Sequence, residues 1–313
     1  MKREQKLNFF GQFLLLLATL SWGASFFILK DTISEYPTMY VIGFRFFASA
    51  LILFILFFKK IIKMSKGTFI RGIILGVFMG LAYITQTYGL RSTTPATNAF
   101  LTSLYCILCP FAMWLFFKST PKVHNIVSAL LCLVGIALIA FSSGNEGQNS
   151  FLGCALTLLC AIFFCLQFVF IDKFQRNKDD SMCLLTVQLA TVSVMVLAIS
   201  FVVEFPQYGF QGMIFKREHL FNVLYLTIAC STLAPLFQML GQKFTPANQA
   251  SIILCFESVF GAIFSVLFGK EKLTPTLTLG FIIIFITVLI NEVKIDYKKL
   301  LFKKKDDDQL KDC

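Results

Sequence analysis

The sequence predicts an all-α integral membrane protein with ten transmembrane helices. Of its 313 residues, 57% are hydrophobic and only 14% are charged, whereas a typical soluble domain carries about 25% charged residues. The mean hydropathy is +0.77, and ten apolar stretches are each long enough to cross a hydrocarbon core of about 30 Å. These observations exclude a water-soluble enzyme and a disordered chain.

Polar residues and helix breakers bound each apolar stretch. The stretches cover residues 9–29, 38–58, 70–90, 96–117, 124–141, 151–171, 183–203, 220–240, 247–268 and 276–292. The connections contain Pro37, Pro95, Pro121, Ser142-Ser143-Gly144-Asn145, Pro206, Pro246 and Pro275, which are residue types that favour turns. The first stretch follows a basic start but has no clear small-residue cleavage site, so we expect it to be helix 1 rather than a signal peptide.

The positive charges are distributed unevenly over the connections. With ten spans, the side that holds the N-terminus collects 21 of the 28 lysines and arginines, the other side collects 6, and Arg45 lies inside helix 2. Because cytoplasmic loops are enriched in Lys and Arg, we expect a multi-pass protein of the cytoplasmic cell membrane with both termini in the cytoplasm. The net charge of +11 therefore reports topology, and we expect membrane lipids rather than nucleic acid as partners.

The two halves of the chain resemble each other. Thr94–Ala99 matches Thr245–Ala250, and Phe10-Gly11 matches Leu152-Gly153. Each half holds five spans, so the second half enters the membrane from the opposite side. We expect two inverted five-helix repeats at residues 1–145 and 150–295, followed by a basic and acidic cytoplasmic tail at 296–313. Inverted repeats are characteristic of secondary transporters, although channels and intramembrane enzymes also contain repeats.

Motifs for catalysis and for cofactors are absent from the sequence. It has no phosphate-binding Gly-x-x-x-x-Gly-Lys-Ser/Thr loop and no His-Glu-x-x-His, and its two histidines cannot form a cluster. Nine of the ten cysteines lie in apolar stretches, including Cys106 and Cys109. We interpret them as small packing residues, with a metal or redox role as the weaker alternative. No enzymatic activity, no cofactor and no bound metal are expected.

An ordered set of short motifs resembles the EamA branch of the drug/metabolite transporter superfamily. The motifs are Trp22-Gly23-Ala24-Ser25-Phe26 with Lys30, Arg45-Phe46, Tyr88-Gly89-Leu90, Thr94–Leu101, Thr245–Ala250, Phe256–Phe260 and Gly269–Thr274. The resemblance covers residues 9–292 and implies two inverted EamA-like five-helix repeats that move small metabolites without ATP. The chain departs from the family at Ser258, where a proline usually follows the Glu of helix 9, so we expect a straighter helix 9.

Two charged residues lie deep inside predicted spans. Arg45 is about eight residues into helix 2, and a charge at that depth is usually paired or faces a cavity. It is a candidate to bind a substrate carboxylate or phosphate, and a structural cation is the equal alternative. Glu257 lies near the middle of helix 9. It is the candidate for proton coupling, against a permanently protonated carboxyl or a static ion pair with Arg45.

Further polar or aromatic residues at span depth are candidates to line a substrate cavity. They are Trp22, Ser25, Tyr83, Gln86, Asn98, Gln167, Gln188, Gln238 and Gln249. Trp22 and Ser25 share one helical face, where Trp22 either stacks on a substrate or only packs. The glycines at 72, 76 and 80 are interpreted as an intramolecular packing stripe.

The leading hypothesis is a secondary active transporter with a midplane cavity that alternates between the two sides. The family resemblance implies a small organic metabolite such as an amino acid, with export favoured over uptake. The alternative is a proton-coupled exporter of drugs or quaternary amines, in which Glu257 meets the cation. We expect a small-molecule substrate and a chain that is a monomer or a homodimer.

Overall fold

The computed structural model describes residues 2–121, 123–142, 150–177, 179–267 and 274–292, and its regular structure is helical throughout. The α-helices are α1 Lys2–Glu35, α2 Thr38–Ile61, α3 Lys66–Arg91, α4 Pro95–Ser103, α5 Tyr105–Phe117, α6 Val123–Ser142, α7 Phe151–Arg176, α8 Ser181–Ile199, α9 Phe205–Tyr208, α10 Leu220–Tyr225, α11 Ala234–Gln242, α12 Ala247–Leu254, α13 Phe256–Leu267 and α14 Pro275–Glu292. Two π-helical segments, Ser200–Glu204 and Leu226–Leu233, extend α8 and join α10 to α11. The predicted tail at 296–313 and most of the Gly269–Thr274 motif lie outside the described residues.

Within the described residues, seven helical segments are long and apolar enough to cross a membrane. They are Gln5–Glu35, Thr38–Ile61, Lys66–Arg91, Thr97–Phe117, Phe151–Arg176, Ser181–Tyr208 and Gln211–Gln242. Shorter apolar helices occupy Asn125–Leu138 and Thr278–Thr287. Helix α1 continues beyond the predicted end at Leu29 because no helix breaker precedes Pro37, and the residue before a proline disfavours the α conformation. The chain is an all-helical, multi-pass membrane protein.

Two of the predicted spans are interrupted at equivalent positions. The stretch 96–117 divides at Leu104 into α4 and α5, and the stretch 247–268 divides at Cys255 into α12 and α13. At both positions the backbone tightens to an i→i+3 hydrogen bond, from the Ile107 amide to Leu104 and from the Ser258 amide to Cys255, each at 3.1 Å. Both interruptions fall ten residues after the threonine of the repeated Thr-Pro, at Thr94 and Thr245. The straighter helix 9 expected from Ser258 is therefore wrong, because this turn forms without a proline.

The helices pair in a pattern that repeats between the halves. Helix α1 packs against α11 and α13, and α7, at the matching place in the second half, packs against α3 and α5. The pairs α2–α8 and α6–α14 each join matching helices of the two halves. Buried side chains from both halves form a common core, which includes Leu15, Tyr105 and Ile252. The two halves thus form one interlocked bundle.

The glycine stripe of α3 lies against α8. A methyl group at Gly76 would lie 2.4 Å from Cβ of Thr191 and 2.7 Å from the carbonyl oxygen of Gln188. Gly72 and Gly80 meet Val187 and Met195 of the same helix. In lipid, small residues permit this close approach of helix backbones. The stripe is therefore an intramolecular packing surface, as the sequence predicts.

Glycines also join the two halves at opposite ends of the bundle. We call the end where α1 begins the N-terminal face. There, a methyl group at Gly11 would lie 2.8 Å from the carbonyl oxygen of Gly241. At the opposite face, a methyl group at Gly89 would lie 2.9 Å from the carbonyl oxygen of Gly153. These two glycine clasps join α1 to α11 and α3 to α7, and they occupy matching positions in the repeat.

Ion pairs at the N-terminal face connect the start of α3 and the end of α2 to the α7–α8 turn. Arg71 contacts Asp179 at 2.6 Å, and Lys60 contacts Asp180 at 3.1 Å. Asp180 also caps α8 by accepting from the Met182 amide at 2.8 Å. Burial by itself raises the pKa of Asp180, but the hydrogen bonds from Lys60 and from the α8 amides outweigh it and hold the pKa below its ordinary value.

An aromatic cluster holds the connection before α10 at the opposite face. The ring of Phe215 lies 5.1 Å from Tyr36 and from Phe44, centroid to centroid, and 5.4 Å from Tyr40. The hydroxyl of Tyr36 lies 2.9 Å from Nδ1 of His219. These contacts fix the long connection to the α1–α2 corner.

Candidate functional site

A small central cavity lies where the two helix interruptions meet α1, α3 and α7. It is lined by Trp22, Ser25, Phe26, Tyr83, Gln86, Tyr105, Phe164, Phe168 and Glu257. Its accessible volume is about 30 Å³, which is room for one or two water molecules. Aromatic rings form most of the wall. Among the described residues that line it, Glu257 is the only one with a carboxyl group.

Helix α1 presents one face to this cavity. Trp22, Ser25 and Phe26 follow the i, i+3, i+4 spacing that places side chains on one side of a helix. The indole Nε1 of Trp22 donates to the carbonyl of Cys230 at 3.0 Å, and Ser25 donates to the carbonyl of Trp22 at 2.7 Å. The π-helical segment of the second half therefore fixes the orientation of the Trp22 ring.

Glu257 lies at the second residue of α13, directly after the interruption of helix 9. It is 6% exposed, ten residues from Ala247 and ten from Leu267, or about 15 Å from either end at 1.5 Å per residue. Its Oε1 accepts from the hydroxyl of Tyr105 at 3.3 Å and from that of Ser103 at 3.5 Å. Both distances are long for an O–H···O bond, so the first half holds this carboxyl loosely.

Arg45 lies behind Tyr83, away from the cavity wall. It is 2% exposed, and its guanidinium carbon is 5.2 Å from the centroid of the Tyr83 ring and 5.0 Å from that of Phe46. Its Nε and Nη1 atoms have no hydrogen-bond acceptor. Within the described part of the chain, no carboxylate lies within 4.0 Å of Arg45. The alternative of a static ion pair with Glu257 is therefore wrong for this structure.

Five of the predicted site residues come together at the cavity, and the other polar ones lie at contacts between helices. Trp22, Ser25, Tyr83, Gln86 and Glu257 line it. Elsewhere, the Asn98 amide donates to Thr157 at 2.8 Å, Gln238 donates to Gln167 at 3.3 Å, and Gln188 lies 2.7 Å from the sulfur of Met79. Gln249 is half-buried in the first turn of α12.

Sequence reasoning missed four aromatic residues of the wall, Phe26, Tyr105, Phe164 and Phe168. Phe164 and Phe168 are one turn apart on α7, and their rings stack at 6.0 Å. Tyr105 packs edge-on against Phe168 at 4.8 Å. Tyr105 carries a hydroxyl in the middle of an apolar stretch, a signal that could have identified it. Phe164 and Phe168 carry no polar group that would single them out in a chain with 38 phenylalanines.

A second, open cavity lies at the opposite face of the bundle, beside α1 and α3. This vestibule has a volume of about 430 Å³, and its wall includes Lys30, Glu35, Arg91 and Glu204. Lys30 donates to the carbonyl of Thr93 at 3.1 Å and to that of Leu90, so it closes the end of α3. Helices α1 and α3 contribute lining residues to both the central cavity and the vestibule.

Comparison with known proteins gives consistent matches over nearly the whole chain. Residues 9–141 and 151–292 each match the profile of the EamA-like transporter family. An uncharacterized transporter of Archaeoglobus fulgidus is 29% identical over 281 residues, which is 90% of this chain and 85% of that protein. The uncharacterized transporter YoaV of Bacillus subtilis is 26% identical over 292 residues, which is 90% of this chain and 96% of that protein.

The fold also has a counterpart among solved structures. A crystal structure whose chain is 13% identical superposes with a TM-score of 0.74, covering 90% of this chain and 96% of the other. At that identity the likeness concerns the fold alone. The family profile, by contrast, matches both halves of the sequence. The chain belongs to the EamA-like transporter family.

Proposed function

We propose that this protein is a secondary active transporter that exports small organic metabolites, such as amino acids, across the cytoplasmic membrane by alternating access. The observation that carries the proposal is the small, aromatic cavity built at the junction of the two halves around the single carboxyl of Glu257. A buried site between repeats is where secondary transporters bind their substrates.

The proposed topology has ten transmembrane helices in two inverted five-helix repeats, at 1–145 and 150–295, with the tail at 296–313 in the cytoplasm. The matched helix pairings and the matched interruptions at Leu104 and Cys255 support the repeat. The excess of Lys and Arg on the N-terminal face supports cytoplasmic termini. The vestibule then opens to the outside of the cell.

The lining of the cavity favours a substrate that carries a positively charged amino group on a compact apolar body. Glu257 supplies the opposite charge, and the faces of Trp22, Tyr83 and Tyr105 attract cations through their ring quadrupoles. Arg45, with unpaired N–H groups directly behind Tyr83, becomes available to a substrate carboxylate when the Tyr83 ring moves. The two charged groups together suit a zwitterion such as an amino acid.

The structure suits the closed stage of an alternating-access cycle. A space of about 30 Å³ holds one or two waters and no amino acid, so substrate entry requires the surrounding helices to separate. The two interruptions place flexible turns at this depth. Movement of α5 and α13 about these turns enlarges the cavity toward one face while the other face stays closed.

Proton coupling through Glu257 is tested by replacing it with Gln. The purified protein is placed in liposomes, and efflux or uptake of a panel of amino acids, amines and nucleosides is measured with and without an imposed pH gradient. Glu257→Gln should abolish the response to the gradient, whereas Asp31→Asn, an exposed carboxyl on α1, should retain it. Unchanged coupling in Glu257→Gln would refute the proton hypothesis, and no flux of any compound by the wild type would refute transport.

A second candidate substrate is a drug-like or quaternary amine, moved out in exchange for protons. The observation that favours it is that Glu257 reaches the cavity wall whereas Arg45 does not. The same liposomes distinguish the two candidates. If an amine without a carboxylate is transported equally well by wild type and by Arg45→Met, the substrate is a cation rather than a zwitterion.

A further inference from the structure

Three cysteine thiols meet in the core beside the central cavity. Cys106, Cys132 and Cys255 come from the start of α5, from α6 and from the turn between α12 and α13. Their sulfur atoms all lie within 4.8 Å of one another, and each side chain has no exposed surface. This cluster is not evident from the sequence, because the three residues are far apart along the chain. Cys106 also forms a Cys-x-x-Cys pattern with Cys109, which is not part of the cluster.

We propose that this cluster is a binding site for a thiophilic trivalent ion, with trivalent arsenic as its probe. Soft thiolate ligands select soft ions, and three thiolates that meet at one point supply three bonds. The sulfur atoms already lie within 4.8 Å of one another. Rotation about the Cys side-chain bonds can bring them closer together around a small central ion.

The charge of the surroundings selects a trivalent ion over a divalent one. Three thiolates with a trivalent ion form a neutral complex, whereas with zinc they leave a net negative charge in the membrane interior, where charge is costly. Zinc further needs a fourth ligand, and only three ligating side chains meet here among the described residues.

The binding step balances without any oxidant or reductant. Arsenous acid, As(OH)₃, exchanges three As–O bonds for three As–S bonds, and the three thiol protons leave in three molecules of water. The sulfur of Cys255 lies 3.2 Å from the carbonyl oxygen of Ser251, a contact in which a thiol is the donor. Tyr105 and Glu257, which line the central cavity, lie one residue before Cys106 and two residues after Cys255, so the cluster is adjacent to that cavity in the chain.

Occupation of the site should stop transport. The bound ion would tie α5 and α6 of the first half to the Cys255 turn of the second half. This consequence rests on the proposed transport function, whereas the binding does not. Arsenite should therefore inhibit flux into or out of liposomes, and inhibition should require the same three thiols as binding.

The binding test uses the full-length reduced protein in lipid nanodiscs and arsenite as the probe. Native mass spectrometry should show a mass gain of one arsenic atom less three hydrogens. Cys132→Ala should weaken binding at least tenfold, while the control Cys160→Ala, a fully buried thiol on α7, should retain it. Equal binding by Cys132→Ala, or tighter binding of zinc than of arsenite, would overturn the proposal.

A measurement on the wild type covers the case in which Cys132→Ala does not fold. Arsenite is added, the protein is unfolded in the presence of an alkylating reagent, and the protected cysteines are identified by peptide mapping. Protection confined to Cys106, Cys132 and Cys255 supports the site. Protection of none of them, or of a different set, refutes it, whether or not the protein transports anything.

Discussion

Replacing Gly76 by Ala should destabilise the protein through the contact between α3 and α8. The added methyl group would lie 2.4 Å from Cβ of Thr191 and 2.7 Å from a backbone oxygen, whereas ordinary contacts between carbon atoms are about 3.5–4.0 Å. Neither neighbour can rotate away, so the two helices must separate by about 1 Å. Overpacking of this kind costs about 1–3 kcal/mol, which exceeds the gain in helix propensity of about 1 kcal/mol from removing a glycine.

Gly80→Ala is the matched control for this prediction. It lies one turn further along the same helix and faces the same partner, but its methyl group would meet the flexible end of Met195, at 3.2 Å from the sulfur. We expect Gly80→Ala to keep the unfolding midpoint or raise it by up to roughly 2–4 °C, since its gain in helix propensity of about 1 kcal/mol shifts the midpoint by that amount in larger domains. Gly76→Ala should lower it by several degrees.

The assay is thermal unfolding of the purified proteins in the same detergent, followed by the loss of the monodisperse peak in size-exclusion chromatography. Helix propensity changes equally in the two variants, so the difference between them isolates the interhelical contact. Equal midpoints for Gly76→Ala and Gly80→Ala would refute the close packing of α3 on α8.

Three further predictions concern charged and aromatic contacts. The pKa of Asp180 is lowered in the folded protein, so its contribution to stability is present above the ordinary Asp pKa of about 3.9 and is lost as the pH falls through the lower folded value. In chemical denaturation, wild type should be more stable than Asp180→Asn by the order of 0.2–1 kcal/mol, as for an exposed pair with Lys60. This difference should shrink below about pH 4, and a constant difference would contradict the prediction. Arg45→Met removes a buried, unpaired charge and should keep or raise the unfolding midpoint while reducing flux at least tenfold; a loss of folded protein would instead indicate a structural cation. Phe215→Ala should make residues 209–219 more susceptible to limited proteolysis, because three ring contacts are lost; an unchanged cleavage rate would show that the aromatic cluster does not hold this connection.

The positions of the helices could be predicted from sequence because hydrophobicity and turn residues determine them locally. Each of the ten predicted stretches coincides with helical structure, and the ends differ by a few residues, most at Lys2–Glu35. The interruptions at Leu104 and Cys255 could not be predicted. Neither residue is a helix breaker, and the tightening depends on how α4–α5 and α12–α13 pack on each other.

The candidate site was predictable where a residue is polar and deep, and unpredictable where the wall is apolar. Glu257 and Gln86 stand out in apolar stretches, and both line the cavity. Depth alone cannot tell which way a side chain points, so Arg45 was placed with the cavity residues although it lies behind Tyr83. The convergence of three cysteines is a property of the tertiary fold, which the sequence pattern does not reveal.

The two glycine clasps lie at opposite faces of the bundle, so each can be widened by a substitution without changing the other. Gly11 closes the bundle at the N-terminal face and Gly89 closes it at the opposite face, and each joins one half of the chain to the other. A bulkier residue at Gly11 should separate α1 from α11, and one at Gly89 should separate α3 from α7, while the contact at the other face stays unchanged. The same substitution made at the two positions should therefore bias the protein in contrary directions, toward access from the N-terminal face at Gly11 and from the opposite face at Gly89.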